Sequence, residues 1–185
     1  LIDGEPYHHT PSGMLVTPFS LDLEHEILEV RAPLALEYAA VNNLNHVTID
    51  PPDAWIGIVA SGITYREVRE SLRRLGLEHD HEIRDAGIRL LKLGMPVPFN
   101  ASTIRSFATE LDKIVVIEEK TPNVESLVKD ALYNASHHPL VVGRTDEFEA
   151  PLIPAAGALH ADGLIPPLRR LLEPRIAARL APETP

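Results

Sequence analysis

The stretch "IVVIEEKTPNVESLV", residues 114–128, decides the fold of this chain. It begins with a nearly unbroken run of branched apolar residues, which is typical of a strand buried on both faces. It ends with Val124 and Leu127 at helical spacing, after Thr121 as a predicted cap and Pro122 as a predicted first turn. A buried strand followed directly by an amphipathic helix is the repeating unit of an α/β fold.

The same alternation continues on both sides of this stretch. Apolar runs predict strands at 55–61, 88–94, 113–119 and 139–144, and helical periodicity predicts helices at 62–76, 100–112 and 121–132. Gly76 is expected to end the first of these helices, and Asn100 or Ser102 to cap the second. Strands without polar alternation, separated by helices, predict a three-layer α/β/α fold around a mostly parallel sheet of about five strands.

Changes in composition predict four segments along the chain. They are an extended, proline-rich arm at 1–20, an entry helix and linker at 21–54, the α/β domain at 55–150 and a partly disordered C-terminal helical tail at 151–185. Pro33 either begins the entry helix or kinks a helix that started earlier. Asn42 and Asn43 favour the end of that helix. In the tail, a helix is predicted near 164–172, and Pro174 is expected to interrupt the segment after it.

Charge and cysteine content exclude several classes of function. The 185 residues carry a formal charge of −10, so the chain lacks the basic balance that nucleic-acid binding needs. It contains no cysteine, which excludes thiolate catalysis, cysteine-ligated zinc and an iron–sulfur cluster held by its own cysteines. No apolar run reaches the roughly 20 residues that span a bilayer. We expect a cytoplasmic globular protein and, because the chain begins at Leu1, a piece of a longer polypeptide.

The carboxyl ends of the predicted parallel strands define a candidate functional edge. Ligands and partners of open α/β sheets meet the sheet at this edge. The residues expected there are Ser61, Gly62, Gly94, Glu118 and Glu119. They are candidates for a ligand-binding or interface edge, and no residue is assigned a catalytic role.

The adjacent carboxylates Glu118 and Glu119 raise the question of acid–base catalysis. Such chemistry needs two carboxyl groups whose environments separate their pKa values. Adjacent residues of one strand point to opposite faces, so the two cannot act on one substrate atom unless the chain turns at Glu118. The favoured interpretation is that one carboxylate binds the following helix turn or a neighbouring loop and the other reaches a partner surface.

Three further motifs favour structural interpretations. The turn "SGIT" at 61–64 could place backbone amides around an anion, but a tight turn is favoured because no phosphate-loop or dinucleotide pattern occurs. The histidine pairs at 8–9, 79–81 and 137–138 lack the i, i+4 spacing of helical zinc ligands. Ser61 lacks the flanking glycines of a nucleophilic serine in α/β-hydrolases. No metal site and no nucleophile is therefore predicted.

Three segments in this order resemble one protein family. They are "GIVASGITYREV" (57–68), "LLKLGMPVPF" (90–99) and "IVVIEEKTPNVE" (114–125). They are similar to segments of the indolepyruvate ferredoxin oxidoreductases, which belong to the thiamine-diphosphate-dependent 2-oxoacid oxidoreductases. The resemblance extends from about Leu21 to Gly143. It implies the domain of these enzymes that is similar to the C-terminal domain of transketolase.

The resemblance also implies a function for the parent enzyme. Such an enzyme would oxidatively decarboxylate an aryl pyruvate, transfer the acyl unit to coenzyme A and pass two electrons to ferredoxin. Thiamine diphosphate with Mg and the iron–sulfur clusters would be bound elsewhere, since this chain has neither cysteine nor the Gly-Asp-Gly motif of thiamine enzymes. This domain would bind no cofactor and would contribute architecture and contacts to other domains or subunits. An isolated copy would expose apolar surface that allows a homodimer.

Two alternatives remain open. The chain could be the equivalent domain of a 2-oxoacid dehydrogenase β subunit or of transketolase, or a free-standing module with a flavodoxin-like or receiver-like sheet. A receiver needs an acidic cluster after its first strand, and here that strand ends in "VASG" at 59–62. The receiver is therefore disfavoured, whereas flavin or nucleotide binding would support a free-standing module.

Overall fold

The computed structural model describes residues 4–182. Contacts within the chain divide it into two compact units, Leu1–Tyr38 and Ala39–Pro185. The larger unit contains the sheet and the helices that cover its two faces. The predicted disorder of the last residues of the tail concerns positions after 182, which lie outside the described part of the chain.

The entry helix is longer than the periodic pattern in the sequence predicts. It changes from α-helical to π-helical winding before Pro33. Helix α1 spans Phe19–His25 and continues through a π-helical segment, Glu26–Arg31, into α2, which spans Ala32–Val41. Pro33 therefore does not begin the helix, and the wider π-helical turns directly precede the proline that has no N–H to donate. Beyond the end of α2, Asn43 takes a φ of 50°, which confirms the predicted role of an asparagine at this helix end.

Within residues 4–182, five strands form one sheet. They are β1, Asn45–Ile49; β2, Ile56–Ser61; β3, Ile88–Leu93; β4, Lys113–Ile117; and β5, Leu140–Val142. Their order is β1-β3-β2-β4-β5, and every pair is parallel except the antiparallel pair of β1 and β3. The predicted α/β class and the mostly parallel sheet of five strands are confirmed.

The helices of the larger unit lie between the strands or after the last strand. They are α3, Gly62–Arg74; α4, Asp80–Asp85; α5, Ala101–Phe107; α6, Asn123–Leu132; and α7, Ala161–Ile176, with a 3₁₀ turn at Ala177–Arg179. Gly76 takes a φ of 94° beyond α3, and the Asn100 side chain accepts hydrogen bonds from Ser102 and Thr103 at the start of α5, as predicted. The helix predicted at 100–112 ends earlier, at Phe107, and the chain turns through Glu110 with a φ of 65°.

Side chains of each central strand alternate between two apolar layers. Ile58, Leu90 and Val115 pack in one layer, and the residues that follow each of them pack in the other. The first layer contains the buried faces of α3 and α7, and the second contains those of α5 and α6. This alternation explains why the strands read as unbroken apolar runs.

Helix α7 is an integral part of the first layer. Leu164, Leu168 and Leu172 are fully buried in it. Two polar contacts fix the start of α7 on α3: the Glu67 carboxylate accepts the Ala161 N–H at 2.8 Å, and the Ser71 hydroxyl donates to the Ala161 carbonyl oxygen at 3.2 Å.

Pro174 does not interrupt α7, which corrects the sequence prediction. The helix runs through this proline and ends two residues later, at Ile176. Because Pro174 stands in the last turn, its missing N–H removes a single helical hydrogen bond. Among residues 4–182, no helix combines the length and apolar character needed to cross a bilayer.

Candidate functional site at the carboxyl edge of the sheet

The topological switch point of the sheet lies between β2 and β4. β2 leads into α3 on one face, and its neighbour β4 leads into α6 on the other face. Such a point leaves a crevice outside the carboxyl ends of the strands. Ala60 pairs with Ile117 in the parallel register. The next residues, Ser61 and Glu118, therefore occupy neighbouring positions at this edge.

The structure places all five predicted edge residues at the same end of the sheet. Leu93 pairs with Ser61, so Gly94 begins the loop next to the β2–α3 turn. Glu118 and Glu119 follow the last residue of β4. The positions agree with the sequence-based expectation, whereas the role of each residue depends on its contacts.

Glu118 anchors the start of α6. Its carboxylate accepts hydrogen bonds from the backbone N–H groups of Val124 and Glu125, both at 2.9 Å. These donors lie in the first helical turn, where N–H groups have no partner within the helix. The prediction that one of the two carboxylates binds the following helix turn is confirmed. The prediction that Thr121 caps α6 is wrong, because the longer side chain of Glu118 accepts the hydrogen bonds of these N–H groups.

Glu119 binds a different segment of the same chain, which corrects the prediction that the second carboxylate reaches a partner surface. Its carboxylate accepts the backbone N–H of Leu159 at 2.8 Å. Leu159 is buried and precedes α7 by two residues. The two adjacent carboxylates thus serve two separate structural contacts, and neither shares a partner with the other.

Arg144 joins three segments at this edge. Its Nη2 donates to the carbonyl oxygen of Glu118 at 3.0 Å, and its Nη1 donates to the carbonyl oxygens of Ile153 (3.1 Å) and Pro154. Its backbone N–H donates to the Glu125 carboxylate at 2.8 Å. Arg144 therefore connects the end of β4, the first turn of α6 and the segment that precedes α7.

Glu125 is a buried carboxylate that depends on a neighbouring glycine. Only 5% of this residue is exposed, and its Oε1 lies 2.6 Å from the Lys129 ammonium. A Cβ atom at Gly143 would lie 2.2 Å from the Glu125 Oε2, so no larger residue fits there without displacing the carboxylate. Sequence reasoning missed Arg144 and Glu125 as edge residues because their contacts join positions 19 and 26 apart, which no local period connects.

The β2–α3 turn is a tight turn with an exposed apolar residue. Ser61 is extended, and its side chain makes no capping hydrogen bond to α3. Gly62 has a φ of 52°, which side-chain-bearing residues rarely adopt, and open space surrounds it. Ile63, the next residue, is 57% exposed. The conformation of Gly62 explains why the turn contains a glycine without invoking a bound phosphate.

Gly94 is required by close packing of the backbone. Its N–H donates to the carbonyl oxygen of Leu44 at 2.8 Å, and a Cβ atom would lie 2.5 Å from that oxygen. The Asn45 side chain then fixes the backbone of Met95 with two hydrogen bonds of 2.9 Å. The loop that follows presents Val97, which is 71% exposed.

The histidine pairs do not gather into a metal site. Within residues 4–182, no group of three His, Cys, Asp or Glu side chains could hold a metal ion. The rings of His79 and His81 stack with centroids 5.6 Å apart, and His137 Nε2 lies 2.7 Å from the carbonyl oxygen of Leu111.

The edge residues do not fit the cofactors of thiamine enzymes. An iron–sulfur cluster needs thiolate ligands, and the chain has no cysteine. A magnesium diphosphate needs several convergent oxygen ligands, but the carboxylates of Glu118 and Glu119 already accept backbone N–H groups of separate segments. Glu118 and Glu119 therefore do not form a free set of oxygen ligands for a magnesium diphosphate.

A groove of about 420 Å³ lies away from this crevice, between β1 and α5. Its most buried charged residue is Arg89, whose Nη1 donates to the carbonyl oxygens of Phe107 (2.9 Å) and Thr109 (2.7 Å). Its Nε pairs with Asp50 at 2.5 Å. Arg89 thus satisfies the carboxyl end of α5, and its presence in the groove needs no ligand to explain it.

The fold and the contacts at this edge define a class of protein. It is a three-layer α/β domain in which residues at the switch point form hydrogen bonds with backbone groups of the same chain. A family model described as "Indolepyruvate oxidoreductase domain" matches residues 46–175, well over half of the chain. The chain belongs to this family of indolepyruvate oxidoreductase domains.

Curated relatives of the chain are much longer than the matched region. The indolepyruvate oxidoreductase subunit IorA of Pyrococcus horikoshii is 35% identical over 79 residues, which are 43% of this chain and 11% of the relative. The IorA subunit of Methanothermobacter thermautotrophicus is 34% identical over 119 residues, which are 64% of this chain and 18% of the relative. The matched region thus covers between about a tenth and a fifth of these relatives.

Two solved structures are similar to this chain at low sequence identity, each with a TM-score below 0.5. One is a 2-oxoglutarate:ferredoxin oxidoreductase from Magnetococcus marinus with 2-oxoglutarate, coenzyme A and succinyl-CoA bound; its TM-score is 0.49 at 14% identity, over 84% of this chain and 24% of that chain. The other is a split-gene transketolase, an inactive β4 tetramer, with a TM-score of 0.47 at 17% identity, over 71% of this chain and 42% of that chain. Neither likeness bears on the chemistry of the edge.

Proposed function

We propose that this chain is a non-catalytic structural and subunit-contact domain of a larger indolepyruvate-type 2-oxoacid:ferredoxin oxidoreductase. The parent enzyme would oxidatively decarboxylate an aryl pyruvate to an acyl-CoA and reduce ferredoxin in the cytoplasm. The family match over residues 46–175 carries the proposal. It favours this enzyme over a transketolase, a 2-oxoacid dehydrogenase or a free-standing module.

The contacts at the carboxyl edge support a non-catalytic role. A general acid or base must be free to reach a substrate proton. Glu118 instead accepts two backbone N–H groups of α6, and Glu119 accepts one from the segment before α7. The carboxylates of the edge therefore stabilise the structure of this domain. In this proposal, thiamine diphosphate, Mg, the iron–sulfur clusters and coenzyme A bind elsewhere in the parent enzyme.

Exposed apolar side chains at the same edge support a contact role. Ile63 and Val97 follow two neighbouring strands and are 57% and 71% exposed. They lie close to the predicted edge residues Gly62 and Gly94 in the chain. Aliphatic groups grouped at one edge of a domain are typical of a surface that another domain covers. In this proposal, Ser61, Gly62 and Gly94 shape that surface by keeping the two loops tight.

The first test is an assay of the chain alone. With an aryl pyruvate, thiamine diphosphate, coenzyme A and a redox dye, the purified chain is expected to show no turnover. Clear substrate-dependent dye reduction would contradict a non-catalytic role.

The second test uses the complete parent enzyme. Glu118→Gln and Glu119→Gln are expected to leave kcat per assembled molecule within about two-fold of wild type, since general acid–base catalysis contributes about 10²–10⁴-fold. Ile63→Lys is expected to lower the yield of assembled enzyme instead. A hundred-fold loss of kcat in either glutamate variant, with assembly intact, would assign that carboxylate to catalysis.

A further inference from the structure

Three side chains that can bind metal ions meet where the N-terminal arm contacts the entry helix. The Tyr7 hydroxyl donates to the Glu26 carboxylate, and His9 Nδ1 lies 2.9 Å from the same oxygen, Glu26 Oε1. The Tyr7 oxygen lies 3.5 Å from His9 Nδ1. A phenolic oxygen, an imidazole nitrogen and a carboxylate oxygen therefore converge on one point.

The cluster contains one histidine of the 8–9 pair, and its other two donors are not histidines. Tyr7 and His9 precede Glu26 by 19 and 17 positions, so the spacing of the histidines does not reveal the cluster. It also differs from a group of three His, Cys, Asp or Glu side chains, because its third donor is a phenol. Tyrosine oxygen is a known metal ligand in proteins, as at the haem iron of catalase.

The described part of the N-terminal unit has no buried core that could hold the arm in place. None of residues 4–38 is buried. The chain contains no cysteine, so a disulfide is also excluded. Units shorter than about 40 residues usually need a disulfide, a metal ion or association with a partner for stability. A metal ion at Tyr7, His9 and Glu26 would join the arm to the helix within this unit, Leu1–Tyr38.

The charge of this unit favours a cation. Residues 4–38 contain one basic side chain, Arg31, and six acidic side chains, which are Glu5, Asp22, Glu24, Glu26, Glu29 and Glu37. The hydrogen bonds from Tyr7 and His9 hold the pKa of Glu26 below its ordinary value, so Glu26 is ionised at neutral pH. A carboxylate that is already ionised binds a metal ion without first losing a proton.

We propose that Tyr7, His9 and Glu26 bind one Zn²⁺ ion, which fastens the arm to the entry helix. Imidazole nitrogen and carboxylate oxygen are common zinc ligands. Three protein ligands leave the fourth tetrahedral position to water. The side chains of His9 and Glu26 are each 29% exposed, so an ion and a water molecule can reach them. The site is independent of the proposed parent reaction.

The separations of the three donor atoms suit this ion. Ligand atoms about 2.0–2.2 Å from a tetrahedral zinc ion lie about 3.3–3.6 Å from one another. The 3.5 Å between the Tyr7 oxygen and His9 Nδ1 is within this range. Zinc takes the place of the proton that Tyr7 donates to Glu26, and that proton passes to solvent. The Glu26 carboxylate then draws back slightly to make room for the ion.

Isothermal titration of the chelator-treated chain with zinc chloride tests the proposal. Wild type is expected to bind one ion with a Kd below about 100 µM at neutral pH. Tyr7→Phe, His9→Gln and Glu26→Gln are each expected to raise the Kd at least about ten-fold. His8→Gln is the matched control, since it removes the neighbouring exposed histidine of the arm, and it is expected to leave the Kd unchanged.

Two further measurements separate the loss of this site from a loss of folding. In wild type, zinc is expected to produce the ultraviolet difference spectrum of an ionised tyrosine and to slow amide hydrogen exchange in residues 5–9. His9→Gln is expected to lose both effects. Its urea unfolding transition should stay unchanged, because both apolar clusters lie in the larger unit.

Several outcomes would overturn the proposal. They are the lack of saturable binding below about 1 mM, an equal effect of His8→Gln, tight binding without the tyrosine spectrum, and wild-type affinity in His9→Gln. None of these outcomes affects the turnover and assembly tests of the parent enzyme. Failure of the zinc site and failure of the proposed function are therefore distinguishable.

Discussion

Because Gly143 has no side chain, the Glu125 carboxylate can pack directly against its backbone. The carboxylate accepts the Arg144 N–H and pairs with Lys129, and it is shielded from solvent. A buried charge of this kind is tolerated only while its hydrogen bonds are made. Since Gly143 lacks a methyl group, the contacts of the Glu125 carboxylate with Arg144 and Lys129 can form at the carboxyl edge.

At the residue scale, we expect Gly143→Ala to lower the free energy of unfolding by about 1–3 kcal/mol, because a forced contact with Glu125 displaces its oxygen. Urea unfolding followed by circular dichroism measures this change. Gly163→Ala is the control: it lies in α7 with nothing within 4 Å of the added Cβ, and alanine favours a helix by about 0.5–1 kcal/mol. Equal stability changes in the two variants would contradict the packing argument.

The two edge glutamates show what residue patterns could and could not predict. Strand alternation predicted that Glu118 and Glu119 would not cooperate, and their separate contacts agree with this. The contact of Glu119 with Leu159 spans 40 positions and ends in a segment without any period, so no pattern could identify it. Residue type alone favours Thr121 as the cap, but the longer side chain of Glu118 reaches the same N–H groups.

At the scale of elements, the apolar runs predicted four of the five strands, and β1 was missed. Its sequence, NHVTI, is half polar because one side of this edge strand is open. Helix α4 was missed for a similar reason, since only Ile83 of its six residues is buried among the apolar core. A continuous apolar run is readable from the sequence even in an edge strand such as β5, whereas elements rich in polar residues, such as β1 and α4, are not.

Helix α7 provides the prediction at this scale. Leu168→Ala is expected to lower the free energy of unfolding by about 2–5 kcal/mol, because Leu168 is fully buried between α7 and the sheet. Val41→Ala, at an exposed position, should change it by less than about 0.5 kcal/mol. A loss below about 1 kcal/mol for Leu168→Ala would show that α7 is peripheral to the core.

At the scale of the whole molecule, the core belongs to one unit. Within the described part of the chain, the members of both apolar clusters come from positions 49–180. The described residues of the unit Leu1–Tyr38 contribute none of them, and the large exposed apolar residues among these are Met14, Leu15, Val16, Phe19, Leu21, Ile27, Leu28 and Tyr38. A protein organised in this way should tolerate loss of the N-terminal unit.

We therefore expect a chain that lacks residues 1–38 to unfold in a single cooperative transition with a midpoint close to that of the intact chain. The slope of the transition should fall only slightly, because the slope follows the surface exposed on unfolding and that surface lies mostly in the larger unit. Matched urea titrations of the two chains measure both quantities. Loss of the cooperative transition on removal of residues 1–38 would contradict this division of the molecule.

The attachment of α7 to α3 also has a consequence for synthesis on the ribosome. Helix α7 covers the apolar face of α3. Its first residue, Ala161, forms hydrogen bonds with Glu67 and Ser71, which lie 94 and 90 positions earlier. At a translation rate of about 5–20 residues per second, about 5–20 s pass between the emergence of α3 and that of its cover. During this interval the nascent chain carries an uncovered apolar face, and shielding by a chaperone has its greatest value in that window.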